Sequence, residues 1–489
     1  MTIPVLPPDI WHHVASFLPG LVLCELISLN STFFEIAMDY RYRQMSFAYF
    51  DNRMLRSISR LRYVILSVPL HIQKNYFIIR DPAVAKRVRI LHIYPGFLKE
   101  TLERDRSEPI LRRSLRHRLV ELLDQLEQRF CNAKHHPKFR LRRSLKRTED
   151  VVRILLEVLR GLPNITDCYV TWCGLPYISA TALPFVSILF QANLRKLSLD
   201  LSLENVSNIL GPSFHVQNLE QLHLCIHSGN IESAFERDEI MRSHLAPAIS
   251  RHHATLRILV IESWNSADLS PLFRAMNRLS ALQDLTVAIP IDAIHLGDPR
   301  GLAHFLNMHQ SNLHTLQLRA TQYGGLGLTP DPISFGYWIK DAIAGVQLTK
   351  LRVLDIRSNL FPADTAVLCL QQFYRTITSL SLTGFYRSYD DIDNVIDLLR
   401  RDEPFASLRI GLVSLSPQLL DLISTKLPKL FRLELMVRYV LPHVADKPLL
   451  DEDHYQGQIV SEHIVCPSPR PPPSLSRQPQ KKSFKFCLL

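Results

Sequence analysis

An apolar triplet spaced i, i+3, i+5 recurs eleven times in the 489-residue chain and constrains its fold more than any other feature. Clear copies are "NLRKLSL" (Leu194, Leu197, Leu199), "NLEQLHL" (Leu219, Leu222, Leu224), "TLRILVI" (Leu256, Leu259, Ile261) and "ALQDLTV" (Leu282, Leu285, Val287). "NLHTLQL" (Leu313, Leu316, Leu318), "KLRVLDI" (Leu351, Leu354, Ile356), "ITSLSL" (Ile377, Leu380, Leu382) and "KLFRLEL" (Leu430, Leu433, Leu435) follow. Looser copies are "RVRILHI" (Val88, Leu91, Ile93), "NITDCYV" (Ile165, Cys168, Val170) and "FASLRI" (Phe405, Leu408, Ile410). From Ile165 onward the copies start 29, 25, 37, 26, 31, 38, 26, 28 and 25 residues apart. The last two apolar positions are separated by one residue, which is strand periodicity: both point inward while their neighbours point out. A single such strand cannot shelter its leucines, but a stack of copies can.

Most intervals lie in or near the 20–29 residues of leucine-rich repeats, and the longer ones read as loop insertions. The stretches between strands return as helices. "DPRGLAHFLNMHQS" and "HLAPAISRHHA" keep the same offset, Leu306 seven residues before Leu313 and Ile249 seven before Leu256. In "LRVLDIRSNLF", Asn359 stands where these repeats bond free backbone groups after the strand. The expected fold is therefore an α/β leucine-rich-repeat solenoid, a horseshoe with parallel strands and outer helices, over residues 81–445. Glycine supports this: 16 of 489 residues is far below the usual ~7%. Such depletion argues against a turn-rich all-β fold and against glycine-loop nucleotide sites.

The array is preceded by "LPPDIWHHVASFLPG". Ile10, Val14, Phe17 and Leu18 form one helical face, with Pro7 and Pro8 suited to the first turn and Pro19-Gly20 ending the helix. A second helix carries Leu23, Leu26 and Ile27; a third carries Phe33, Phe34, Ala37 and Met38, with Ser31 or Thr32 as its cap. A small all-α three-helix module is thus expected over residues 4–48, followed by linker helices over 49–80. So few residues sit near the lower limit for a self-sufficient core, and a partner is expected to complete it.

Leu6-Pro7, Asp9-Ile10, Val14, Phe17-Leu18, Leu26, Leu29-Asn30 and Phe33-Phe34 together resemble an F-box. An F-box followed by leucine-rich repeats resembles the substrate receptors of Skp–cullin–F-box ubiquitin ligases. The resemblance implies that Leu6, Pro7, Ile10, Val14, Leu18, Leu26 and Leu29 pack partly inward and partly against a Skp-type adaptor, itself joined to a cullin scaffold. It further implies that the repeats hold a protein substrate and that other subunits transfer the ubiquitin, so this chain is non-catalytic.

Residues 99–147 carry 15 Lys/Arg against 7 Asp/Glu, which accounts for +8 of the chain's net +11. They form the larger part of a basic helical insertion at 95–147. An alternative to the ligase reading follows from them: a non-ligase repeat scaffold, or an acidic-ligand or nucleic-acid binder using the insertion. Nucleic acid is the weakest partner, because in the insertion's most basic stretch, "AKHHPKFRLRRSLKR", Phe139 and two histidines alone offer stacking surface, and no RNA-binding motif is present. Residues 446–489 read as a disordered, basic, Pro/Ser-rich tail. No stretch approaches the ~20 apolar residues of a membrane span, and no secretory pattern opens the chain. Residence in the cytoplasm, the nucleus or both is expected. The terminal "CLL" places Cys487 one position too late for prenylation.

No catalytic motif, cofactor or metal site is expected. The eight cysteines are scattered and read as free thiols in a reducing compartment. The doublets His12-His13, His135-His136 and His252-His253 read as solvated or capping. Strand residues between the inward leucines would face the concave surface of a solenoid. His92, Tyr169, Lys196, His223, Glu262, Arg319, Asp355, Arg357, Arg409 and Glu434 are the candidate cargo-binding positions.

Overall fold

The computed structural model describes residues 7–47, 81–94, 159–171, 193–211, 214–228, 231, 233–263, 268–290, 296–321, 331–357, 363–400, 405–440 and 487–488. The chain divides into two compact units, residues 1–261 with 275–281, and residues 262–274 with 282–489. Leu6, Asn359, the 49–80 linker, the basic insertion at 95–147 and the tail short of Cys487 lie outside the described residues.

Every one of the eleven copies carries a strand. In the first unit these are β2 (Ile90–Ile93), β3 (Asp167–Thr171), β4 (Lys196–Ser202), β5 (Gln221–His227) and the start of β6 (Ile258–Ser263). A further strand, β1 (Gln44–Phe47), precedes them and pairs in parallel with β2, Met45 opposite Leu91. β2 to β5 continue in parallel and in chain order, with Leu91, Cys168, Leu197 and Leu222 aligned across the ladder. The second unit repeats the scheme in β7 (Asp284–Pro290), β8 (Thr315–Thr321), β9 (Val353–Arg357), β10 (Ser379–Arg387), β11 (Ser407–Leu415) and β12 (Arg432–Val440). Leu285, Leu316, Leu354, Leu380, Leu408 and Leu433 are aligned there. A short β13 (Cys487–Leu488) adds to β12 in the antiparallel sense.

The ladder has a repeated first rung. The carbonyl of Arg43 accepts from the amides of both Arg89 and Ile90; Arg89 does the same for Thr166 and Asp167, and Thr166 for Arg195 and Lys196. Gln283, His314, Arg352, Thr378 and Ala406 do so in the second unit. Each of these carbonyls uses both lone pairs, so the entry to each of these strands is fixed by its predecessor. The alternation then follows the sequence: β2, β3 and β4 alternate half-buried and buried residues from their first position. Each leucine removed from water contributes roughly 1.5–3 kcal/mol.

The returning segments are helical, each started by local chemistry. Ser388 caps Tyr389–Leu399 in a capping box with Asp391; Ser416 caps Pro417–Lys426 and Asp331 caps Pro332–Ile343, each with proline in the first turn. The long interval between Leu219 and Leu256 is not a loop insertion as expected. It holds Ala234–Ile240, a π turn Met241–Leu245 and Ala246–Ser250 as one helical run, bringing Met241, Leu245 and Ile249 into the core. Each unit is thus a solenoid-like α/β repeat of parallel strands and returning helices.

Residues 8–42 form three short helices: α1 (Pro8–Ser16), α2 (Gly20–Glu25) with a 3-10 turn after it (Leu26–Ser28), and α3 (Ser31–Tyr42). The cap of α3 is Asn30, one residue before the expected Ser31 or Thr32; its side chain accepts from the Phe33 amide at 2.9 Å. Asn30 has extended backbone angles, as an N-cap requires, while Ser31 is already helical.

Candidate interaction surfaces

The three-helix module has a small interior and a large apolar exterior. Ala15, Leu23 and Phe33 are its buried centre, and Trp11, Leu18, Leu26 and Ile36 pack against them. The inward face of α1 is therefore Trp11, Ala15 and Leu18, not the expected face of Ile10, Val14, Phe17 and Leu18. Trp11 is the larger ring and meets Phe33 edge-on, with centroids 5.3 Å apart. That contact turns Ile10 and Val14 outward, to 46% and 40% exposure. Phe17, Leu21 and Leu29 are 74%, 79% and 60% exposed, and Phe34 is 44% exposed. Of the sequence-predicted interface, Pro7, Ile10, Val14 and Leu29 lie on the surface, Leu18 and Leu26 support the interior, and Leu6 lies outside the described residues. Leu21 and Phe34 were not assigned to the interface; being apolar beside the helix starts, they carried a signal.

Arg87, just after the helix Pro82–Ala85, ties this module to the array. It pairs with Glu35 and Asp39 of α3 and donates to the Glu35 carbonyl at 3.3 Å. Partial burial disfavours its charge, but the two carboxylates outweigh that and hold its pKa above the ordinary arginine value.

The second surface is the strand face opposite the buried leucines. In the first unit His92, Tyr169, Lys196 and His223 stand on successive strands of that face. The His92 ring stacks on Tyr169 at 4.5 Å and 6°, and Lys196 Nζ lies 5.3 Å from the Tyr169 centroid. Burial lowers the His92 pKa, so its ring is a neutral stacking platform at pH 7. His223 Nδ1 lies 3.3 Å from Ser198 Oγ. Further along β4 and β5, Asp200, Cys225 and His227 gather within 4.8 Å of one another; no metal was expected from the sequence, and these three residues were not connected there.

In the second unit the opposite charges pair with each other. Arg319 Nη1 reaches Glu262 Oε1 at 3.4 Å and its Nη2 donates to Gln317 at 2.9 Å. Arg409 Nε lies 3.1 Å from Glu434 Oε1, with Arg432 3.6 Å from the other carboxylate oxygen. Arg357 stands on β9 in register with Arg319 and Thr383. Asp355, Ser381 and Arg409 are aligned on adjacent strands. Asp355 Oδ1 and Ser381 Oγ are buried without a hydrogen-bond partner among the described residues. Unsatisfied polar atoms on a half-buried face are the kind of group that a bound chain engages, since leaving them unpaired is costly.

No family model matches the chain, and neither does any curated protein.

The doublet His252-His253 divides. His252 is 2% exposed, not solvated as expected, with its ring against Phe214 and His215. Its carbonyl accepts from the Leu256 amide at 2.9 Å, and the His309 carbonyl accepts from Leu313 in the same way. Both histidines stand four residues before the first leucine of a copy, as part of the helix-to-strand turn. Cys24, Cys168, Cys225 and Cys369 are not in disulfides, and burial pushes Cys369 up to about 12 and Cys168 higher still. Thiols so held are poor nucleophiles. Among the described residues no helix is long and apolar enough to cross a membrane.

Proposed function

We propose that the chain is a non-catalytic substrate-recognition adaptor of a Skp–cullin–F-box ubiquitin ligase. Its F-box docks a Skp-type adaptor and, through it, a cullin scaffold; its leucine-rich repeats hold a protein substrate in the cytoplasm or nucleus. The observation that carries this reading is the outward set Ile10, Val14, Phe17, Leu21, Leu29 and Phe34 on a module whose central cluster is the small set Ala15, Leu23 and Phe33. Large apolar side chains left this exposed on so small a module are the kind that a partner covers, and their burial at roughly 1.5–3 kcal/mol per fully covered side chain can outweigh the cost of association. The strand face supports the second half of the reading: it offers stacked rings in one unit and paired charges with unsatisfied neighbours in the other.

Co-expression of the full chain with a Skp-type adaptor tests the proposal. A stable complex on gel filtration that also retains a cullin supports it. Separate elution of two folded proteins rejects the ligase role and leaves the repeats as a scaffold.

A further inference from the structure

Three side chains on neighbouring strands of the first unit converge on one point. Asp200 of β4 stands opposite Cys225 of β5 in the parallel register. His227 lies two residues beyond Cys225, on the same side of the strand. Asp200 Oδ1 is 2.6 Å from His227 Nε2, and Cys225 Sγ is 3.7 Å from that same nitrogen.

This geometry does not suit a thiol–imidazole–carboxylate relay. A relay runs through the ring, with the carboxylate on one nitrogen and the nucleophile on the other. Here the carboxylate and the thiol meet the same nitrogen, so an oxygen, a nitrogen and a sulfur surround a common point. Metal–ligand lengths of about 2.3 Å to sulfur and about 2.0–2.1 Å to nitrogen give a tetrahedral S···N edge of roughly 3.6 Å. The 3.7 Å observed between Cys225 and His227 matches that edge. The 2.6 Å Asp200–His227 contact is shorter than the corresponding O···N edge of roughly 3.4 Å. An entering ion would replace that hydrogen bond with two metal bonds after a side-chain movement of less than about 1 Å.

We propose that Asp200, Cys225 and His227 form a three-ligand site for a divalent ion of the zinc type. A thiolate and an imidazole select a borderline-soft transition metal over magnesium or calcium. The ligands stand on two hydrogen-bonded strands, which fix their spacing before any ion arrives. Cys225 is buried, whereas the His227 and Asp200 side chains keep 13% and 30% of their exposure. The fourth position therefore opens toward solvent and takes a water molecule or a side chain of a bound partner. On binding, the Cys225 thiol releases its proton to solvent and the sulfur enters as thiolate, so affinity rises with pH. Occupancy of this site does not depend on the adaptor role.

Titration of the full-length chain with zinc alone, and with cobalt as its spectroscopic stand-in, tests the site. One equivalent of cobalt should produce tetrahedral ligand-field bands and a near-ultraviolet thiolate charge-transfer band, both displaced by zinc. Cys225→Ser should abolish the charge-transfer band. Asp200→Asn and His227→Gln should weaken zinc binding by more than the ~10–100-fold that loss of an outer-shell partner costs. Asp200→Asn alters only a half-exposed group, so it reads the site even if Cys225→Ser perturbs the core. Octahedral cobalt bands, or a thiolate band that survives Cys225→Ser, would overturn the proposal and leave Asp200–His227 as a plain hydrogen bond.

Discussion

Trp11 meets Phe33 edge-on at 5.3 Å, and this one contact decides which face of α1 is left exposed. It separates two kinds of substitution on adjacent residues. Trp11→Ala removes an interior ring and should destabilise the three-helix module by about 2–4 kcal/mol. Ile10→Asp changes a half-exposed position and should leave the melting curve within about 0.5 kcal/mol of the original. The same Ile10→Asp chain should lose at least tenfold in affinity for a Skp-type adaptor in a pull-down titration. Retained affinity would mean that the exposed face serves another purpose.

The strand alternation makes a comparable pair in the second unit. Leu316 of β8 is fully buried, and Gln317 beside it is half-buried on the opposite face. Leu316→Ala should cost about 2–5 kcal/mol in denaturant unfolding, because it deletes buried methyl groups and leaves a cavity. Gln317→Ala removes a partner of Arg319 and should cost less than about 1 kcal/mol. Equal effects at the two positions would contradict the inward-outward assignment.

The repeated strands were legible because inward leucines at fixed spacing leave a chain few ways to hide them. The first strand was missed although its residues keep the same spacing in other letters: Tyr42, Met45 and Phe47 fall where Val88, Leu91 and Ile93 fall one copy later. Met45 aligns with Leu91 and is fully buried. Tyr42 also ends the helix Ser31–Tyr42, so the first position of this copy belongs to the helical pattern before it. The rotation of α1 was misread for a different reason. Periodicity gives a set of apolar residues, but only the tertiary contact of Trp11 with Phe33 ranks one candidate face above another. The Asp200, Cys225 and His227 cluster is a matter of register. Asp200 lies 25 residues before Cys225 in the sequence, and nothing local shows that the two strands place them side by side. Asn30 and His252 are smaller cases in which neighbouring residues of similar type competed for one role.

Gly297 shows how a loop in the second unit depends on the absence of a side chain. Its φ is +65°, and a Cβ there would overlap the carboxylate of Asp268. Its carbonyl accepts from Trp338 Nε1 at 3.0 Å, and the Asp268 side chain accepts from the Ser270 amide at 2.8 Å. Gly297→Ala should therefore destabilise the unit by about 1–3 kcal/mol through backbone strain and displacement of Asp268. Gly345, at φ +73° with open space around it, serves as the control. Gly345→Ala should cost only the strain, about 1 kcal/mol. Unfolding midpoints in urea distinguish the two, and a smaller loss at Gly297 than at Gly345 would refute the close approach.

His252 gives the first unit a definite response to acid. Burial, reinforced by the neighbouring charge of His215, holds its pKa down to about 4, while a backbone bond to Val216 partly opposes the shift. In the unfolded chain the group titrates near 6.5. Between those values the unfolded state binds a proton that the folded state refuses, so stability rises with pH across the window. The full contribution is present above about pH 6.5, and roughly 2–3 kcal/mol is lost as the pH falls to about 4. His92, also lowered by burial, acts in the same direction. Urea unfolding at pH 7.5, 6 and 4.5 should show the midpoint falling with acid. His252→Gln should flatten that fall relative to the unaltered chain, since the other titrating groups are common to both. Parallel pH profiles for the two chains would show that His252 takes up its proton without unfolding.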